Sequence, residues 1–240
     1  MSEYYRSLLT GDEVAIYDRI LASWQRQSPR VVCNPCGERS APVLVEYVAR
    51  DHPEIFYVGY YQFEQTNAPL WTTLRFSLLY TEKEIAAIRQ CLRRMKEHVG
   101  RFLPAQASDT EKVWLIFDYM SRQVEYGETG DNSHSVVGCL PEYGHTAVCE
   151  GMAKAFKFLC DASGIPCIVV VGEYSADGES GRHAWNIVRI NGWTYRHIDV
   201  TAQIRQAHAC GRAQERNFLK RDSEMDSGYW WDGRLYPACR

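Results

Sequence analysis

Between residues 145 and 200 the spacing of apolar side chains changes once, and that change limits the folds open to the chain. In "HTAVCEGMAKAFKFLCDASGIP" the residues Cys149, Met152, Ala155, Phe156, Leu159 and Cys160 recur at i, i+3 and i+4, as on a helix with one apolar face. Lys154, Lys157 and Asp161 fall on the opposite side, and Gly164 followed by Pro166 closes the pattern. Then "CIVVVGEY" (167–174), "RHAWNIVRI" (182–190) and "WTYRHIDV" (193–200) read as strands, the last two joined by Asn191-Gly192. A helix packed on an antiparallel sheet is an α+β arrangement.

Cys149 heads this helix, where unpaired backbone N–H groups and the positive end of the dipole favour thiolate; Glu150 opposes this slightly. Taken alone, the segment fits a buried structural thiol better, the commoner fate of a free cysteine. A thiolate nucleophile needs a base within reach and a third group to orient that base. The strands supply His183 and Asp199. His197 shares a strand with Asp199 and competes for it, while His145 and Trp185 are candidates for a substrate pocket. For these two the plainer alternatives are a polar loop residue and a core aromatic.

The hairpin between the last two strands sets turn chemistry against catalysis. A two-residue Asn-Gly turn would pair Ile190 with Trp193 and turn His183 away from Asp199. An odd-length connection or a bulge puts both on one face, by a loop of residues 190–192 or one starting a residue later. The chemistry therefore predicts an odd connection.

Ahead of this stretch, helical spacing recurs over 11–27, 41–54, 81–103 and 108–126, and "IFYVGYYQF" and "LWTTLRFSLLY" read as two strands. The organisation predicted is an N-terminal helical and β region, 1–105, and a core, 106–240, joined as one compact unit. "CNPC" (33–36) has CxxC spacing, but no second CxxC completes a zinc site, so it reads as a loop.

Composition excludes several classes. The formal charge of -3 offers no basic footprint for nucleic acid, and no apolar run is long enough to span a bilayer. The opening residues lack a signal-peptide pattern, so the chain as written is expected in the cytoplasm, or exported if a signal segment has been removed. Nine cysteines, an odd number, leave at least one thiol free or paired between chains.

The blocks "AVCEGMAKAFKFLCDASGIPCIVVVGE", "HAWNIVRINGWTY" and "HIDVT", in the order Cys, His, Asp, resemble the transglutaminase-like superfamily, whose fold is similar to papain-type cysteine proteases. "HPEIFYV" and "EKVWLIFDYMSRQVEY" look like the segments ahead of the core in bacterial members. The resemblance implies Cys149 as nucleophile, His183 as general base and acid, and Asp199 as the residue orienting the imidazole. It implies acyl transfer through a Cys149 thioester on a protein or peptide substrate, as peptidase, amidase or transglutaminase. The alternative is a non-catalytic module holding a peptide or glycan in the same cleft. Met152 stands where relatives often carry Tyr, and Ala202-Gln203 where they carry an aromatic or acidic residue. No cofactor or metal is expected, since the triad explains the spacing and no EF-hand-like loop is present for the calcium that animal transglutaminases use.

Overall fold

The structure, a computed structural model, describes residues 3–33, 41–65, 72–176, 179–204 and 217–240. Its contacts part the chain into two compact units between Arg89 and Gln90. That parting falls inside a long helix, whereas the sequence reading set its boundary at 105/106, on the loop beyond.

The first unit holds α1 (Tyr4–Ser7), α2 (Asp12–Gln25), β1 (Arg30–Cys33), α3 (Ala41–Asp51), β2 (Val58–Gln65), β3 (Thr72–Leu78) and the start of α4 (Glu82–Phe102). Helical spacing buries Tyr17, Ile20 and Trp24 on α2 and Leu44 and Val48 on α3. Asp51 accepts the backbone N–H groups of Tyr5 and Arg6 and the hydroxyl of Tyr17, so one buried carboxylate ties three helices. The strands form an antiparallel sheet in the order β1-β3-β2. The sequence reading placed Cys33 in a loop; it is instead the last residue of β1, where Val31 and Cys33 alternate inward. Four residues are too few for that alternation to stand out. Cys36 lies outside the described residues.

The second unit holds the rest of α4, α5 (Asp109–Gln123), β4 (Glu125–Tyr126), short 3₁₀ turns between Asp131 and Tyr143, β5 (Thr146–Ala147), α6 (Cys149–Ala162), β6 (Cys167–Ala176), β7 (Glu179–Ile190), β8 (Thr194–Ile198) and β9 (Tyr229–Trp230). α5 opens on a capping box in which Ser108 and Glu111 exchange hydrogen bonds with each other's backbone. The main sheet is antiparallel in the order β8-β7-β6-β9. The α+β architecture is the one the sequence predicts. α6 lies on this sheet: the Asn186 amide donates to the Ala153 carbonyl at 3.0 Å, and Ala153 packs with Val169 and Ala184.

One side of α6 departs from expectation. Lys157 and Asp161 are buried, not solvated, with side chains 1% and 3% exposed and 2.8 Å apart. The Lys157 ammonium also donates to the Cys167 carbonyl at 2.9 Å. An i, i+4 ion pair lets both charges enter the interior together, which periodicity alone does not reveal.

Candidate active site

The β7–β8 connection decides whether His183 and Asp199 can meet. Ile190 pairs with Thr194, so the loop is Asn191-Gly192-Trp193, with φ of 52° at Asn191 and 84° at Gly192. This is an odd-length connection, one residue later than the first choice from sequence. The Asn191 N–H donates to Asp109 Oδ2 at 2.8 Å, which fastens the loop to the start of α5. Asn186 pairs with Ile198, so strand alternation puts His183, Trp185 and Asp199 on one face.

His183 Nε2 lies 2.7 Å from Asp199 Oδ2. Asp199 accepts two further bonds, from the Tyr229 hydroxyl and from the Ala202 N–H at 3.1 Å. The Tyr229 hydroxyl accepts in turn from Asn217 Nδ2 at 2.8 Å. Burial works against the Asp199 carboxylate, yet the charge of His183 and these hydrogen bonds hold its pKa below the usual range. Burial, and then the charge of Asp199, raise the Tyr229 phenol, which therefore stays a donor. Tyr229 sits on β9, thirty residues beyond Asp199, and sequence reasoning missed it; the aromatic run Tyr229-Trp230-Trp231 behind Gly228 was its one signal.

Burial also works against the His183 imidazolium. The charge and hydrogen bond of Asp199, joined by a hydrogen bond with Cys149, outweigh it and raise the pKa to about 10. With Nε2 committed to Asp199, Nδ1 is the nitrogen left for the sulfur.

Cys149 opens α6 behind Val148, an N-cap residue that makes no side-chain cap. Val breaks the usual preference for Ser, Thr, Asp or Asn there, and leaves the first-turn N–H groups uncapped by their own N-cap. Gly151 lets a neighbouring turn close in: a Cβ there would lie 2.2 Å from the Ser133 carbonyl oxygen, which also accepts the Val148 N–H at 3.0 Å. Among the seven described cysteines, Cys149 is the one not buried. Burial pushes Cys139 and Cys239 up to about 12 and raises Cys91 and Cys160.

Of the candidate residues, Cys149, His183 and Asp199 are brought together. Trp185 lies behind them at 1% exposure, stacked on His183 at 5.8 Å between ring centroids, so it backs the imidazole. His145 is half-buried on the approach to β5 and makes no hydrogen bond to the other three among the described residues. His197 does not compete for Asp199: its Nε2 lies 2.8 Å from Asp222 Oδ1, and its Nδ1 accepts the Trp185 indole N–H at 3.0 Å.

A metal has one candidate position among the described residues, His197 with Asp222 and Cys239, whose ligand atoms lie within 4.8 Å of one another. The imidazole there has no lone pair to give. Nδ1 receives the indole proton, and Nε2 must carry the ring proton toward Asp222.

Thiol, imidazole and carboxylate thus come together where α6 meets the antiparallel sheet. Residues 98–200, which contain all three, match the family model of the transglutaminase-like superfamily. No curated protein matches the chain. Among solved structures, it is similar to a Cytophaga hutchinsonii protein described provisionally as a cysteine protease, at 16% identity and a TM-score of 0.38, over 59% of this chain and 61% of that one. A Parabacteroides distasonis protein described provisionally as a protease is similar at 12% identity and a TM-score of 0.33, over 60% of this chain and 39% of the other. The chain thus spans less than two thirds of either.

Proposed function

We propose that the protein is a cysteine-dependent acyl-transfer enzyme acting on peptide or amide substrates. The observation that carries this reading is the chain of contacts Cys149, His183, Asp199, with the buried carboxylate on Nε2 and the thiol left to Nδ1. The Cys149 thiolate attacks the carbonyl carbon, and backbone N–H groups of the first turn of α6, that of Cys149 included, receive the developing oxyanion. The C–N bond breaks as His183 gives its proton to the leaving amine. Water then attacks the thioester while His183 takes a proton from it, and the C–S bond breaks to release acid and thiolate. An amine in place of water gives cross-linking. Asp199 keeps the imidazole in the tautomer and orientation that both steps need.

Incubation with a peptide library, with and without an amine donor, followed by mass spectrometry, tests the reading. Cleaved, deamidated or amine-joined products that vanish in Cys149→Ala support it. Peptides retained unchanged by wild type and variant alike would favour a binding module.

A further inference from the structure

Behind the catalytic ring lies a second histidine and carboxylate that the mechanism does not use. His197 is fully buried on β8, and its two nitrogens have different duties. Nε2 meets Asp222 Oδ1 at 2.8 Å, and Nδ1 accepts the Trp185 indole N–H at 3.0 Å. These two bonds fix one neutral tautomer, with its proton on Nε2, because Nδ1 cannot accept while protonated. Asp222 is held from its other side by the Cys239 N–H, 3.1 Å from Oδ2, and its own N–H donates to the Cys239 carbonyl at 2.8 Å. Trp231 closes the set edge-on, 4.8 Å from the His197 ring centroid and 6.0 Å from that of Trp185.

We infer that His197 and Asp222 form a positioning pair, which locks the Trp185 indole against His183 and so sets the imidazole that activates Cys149. Trp185 stacks on His183 with 22° between planes, and Tyr229 and Tyr174 flank that ring at 5.8 Å each. A rotated indole would release one whole side of the imidazole. The indole also acts electrostatically: its π face attracts a cation, and donating its N–H to His197 leaves the ring richer in electrons. The His183 imidazolium is the cation it faces. Among the described residues, the charged and titratable groups around His183 are Asp199, Cys149, Tyr174 and Tyr229, and His197 reaches it through Trp185.

This inference rests on the reading of Cys149 and His183 as the reactive pair, and its test does not need turnover. The rate of Cys149 alkylation by iodoacetamide is measured from pH 5 to 10 in wild type, His197→Phe, His197→Gln and Asp222→Ala. Phe keeps the bulk and removes both hydrogen bonds, whereas the Gln oxygen can accept from Trp185 and its amide can donate to Asp222. Asp222 is 39% exposed on its side chain, so its replacement is safe where His197→Phe fails to fold. At pH 7, His197→Phe is expected to be alkylated about tenfold more slowly, with its midpoint moved, Asp222→Ala to move the same way by less, and His197→Gln to stay within about twofold of wild type. The Trp185 indole N–H resonance should lose protection from exchange in Phe and Ala and keep it in Gln. Wild-type profiles in folded His197→Phe or Asp222→Ala, or equal loss in Phe and Gln, would overturn the inference. Absence of turnover in wild type with the alkylation shifts present would overturn the proposed reaction and leave the positioning pair standing.

Discussion

His183 and His197 stand on adjacent strands, each with a carboxylate on Nε2, at 2.7 and 2.8 Å, yet their pKa values are displaced in opposite directions from the ordinary one. Burial penalises both cations. For His183 it is outweighed, because Asp199 is 1% exposed and its charge is little screened, and Cys149 adds to it. For His197 burial prevails, because Asp222 lies partly in solvent, where screening weakens its charge.

Nuclear magnetic resonance titration of the two rings is expected to find His183 protonated up to pH about 10 and His197 with its midpoint below the ordinary 6.5. The signs for stability follow. His183 contributes stability that is complete below its ordinary value of 6.5 and lost as pH rises to about 10. His197 acts oppositely, since below 6.5 the unfolded chain binds a proton that the buried ring refuses, and stability falls on acidification. A protein whose His197 charges first on acidification would contradict this ordering.

Among the described cysteines, Cys149 is expected to react first with limiting iodoacetamide at neutral pH. It combines partial exposure with a cationic partner, while burial holds Cys139 and Cys239 up at about 12. Peptide mapping after brief labelling reads the order. Modification of Cys33 or Cys91 ahead of Cys149 would unseat the nucleophile.

Cys149→Ala and His183→Ala should each lower kcat by about 10⁴-fold or more, whereas Asp199→Ala should leave measurable turnover. Tyr229→Phe removes one charge-assisted hydrogen bond from a carboxylate that keeps two others, so a loss of about tenfold is expected. Kinetics with one cleavable peptide would rank all four. Full activity in Tyr229→Phe would mean that the other two bonds suffice to hold Asp199.

What the sequence makes legible follows from distance along the chain. Local rules suffice for α2, α4, α5 and α6, whose helical periods lie within each segment, with a capping box added at α5. Opposing demands on one hairpin sufficed for the odd loop that aligns His183 with Asp199. Tyr229, Asn217 and Asp222 were not legible, because each reaches the site from beyond residue 216 through a single side chain, without a period to mark it. Lys157 was misread for a related reason. Its charge marks a solvated face unless the partner and the Cys167 carbonyl that admit it to the interior are known.

That buried pair gives an asymmetric expectation. Asp161→Ala should destabilise by about 3–5 kcal/mol, because it strips the carboxylate from an ammonium that stays inside. Lys157→Met with Asp161→Leu should cost much less, since no charge remains to be desolvated. Denaturant midpoints of the two variants decide it. A double variant as unstable as Asp161→Ala would show that shape, not charge, governs this site.

Gly151 makes the strictest demand on the first turn of α6. A methyl group there would stand 2.2 Å from the Ser133 carbonyl oxygen and 2.9 Å from that of Ser135, both backbone atoms that no rotamer change can move. Either α6 or the turn at 131–135 must shift, and Cys149, two residues from Gly151, moves with the helix. Loss of the Val148 N–H bond to Ser133, made at 3.0 Å, would follow and free the strand that leads into the thiol. Gly151→Ala normally gains helix propensity of about 1 kcal/mol, so any net loss measures the clash. The expected result is a lower midpoint of unfolding together with slower Cys149 alkylation at neutral pH. A variant that is more stable and equally reactive would show that the turn yields freely and that its closeness to α6 does not set the position of the sulfur.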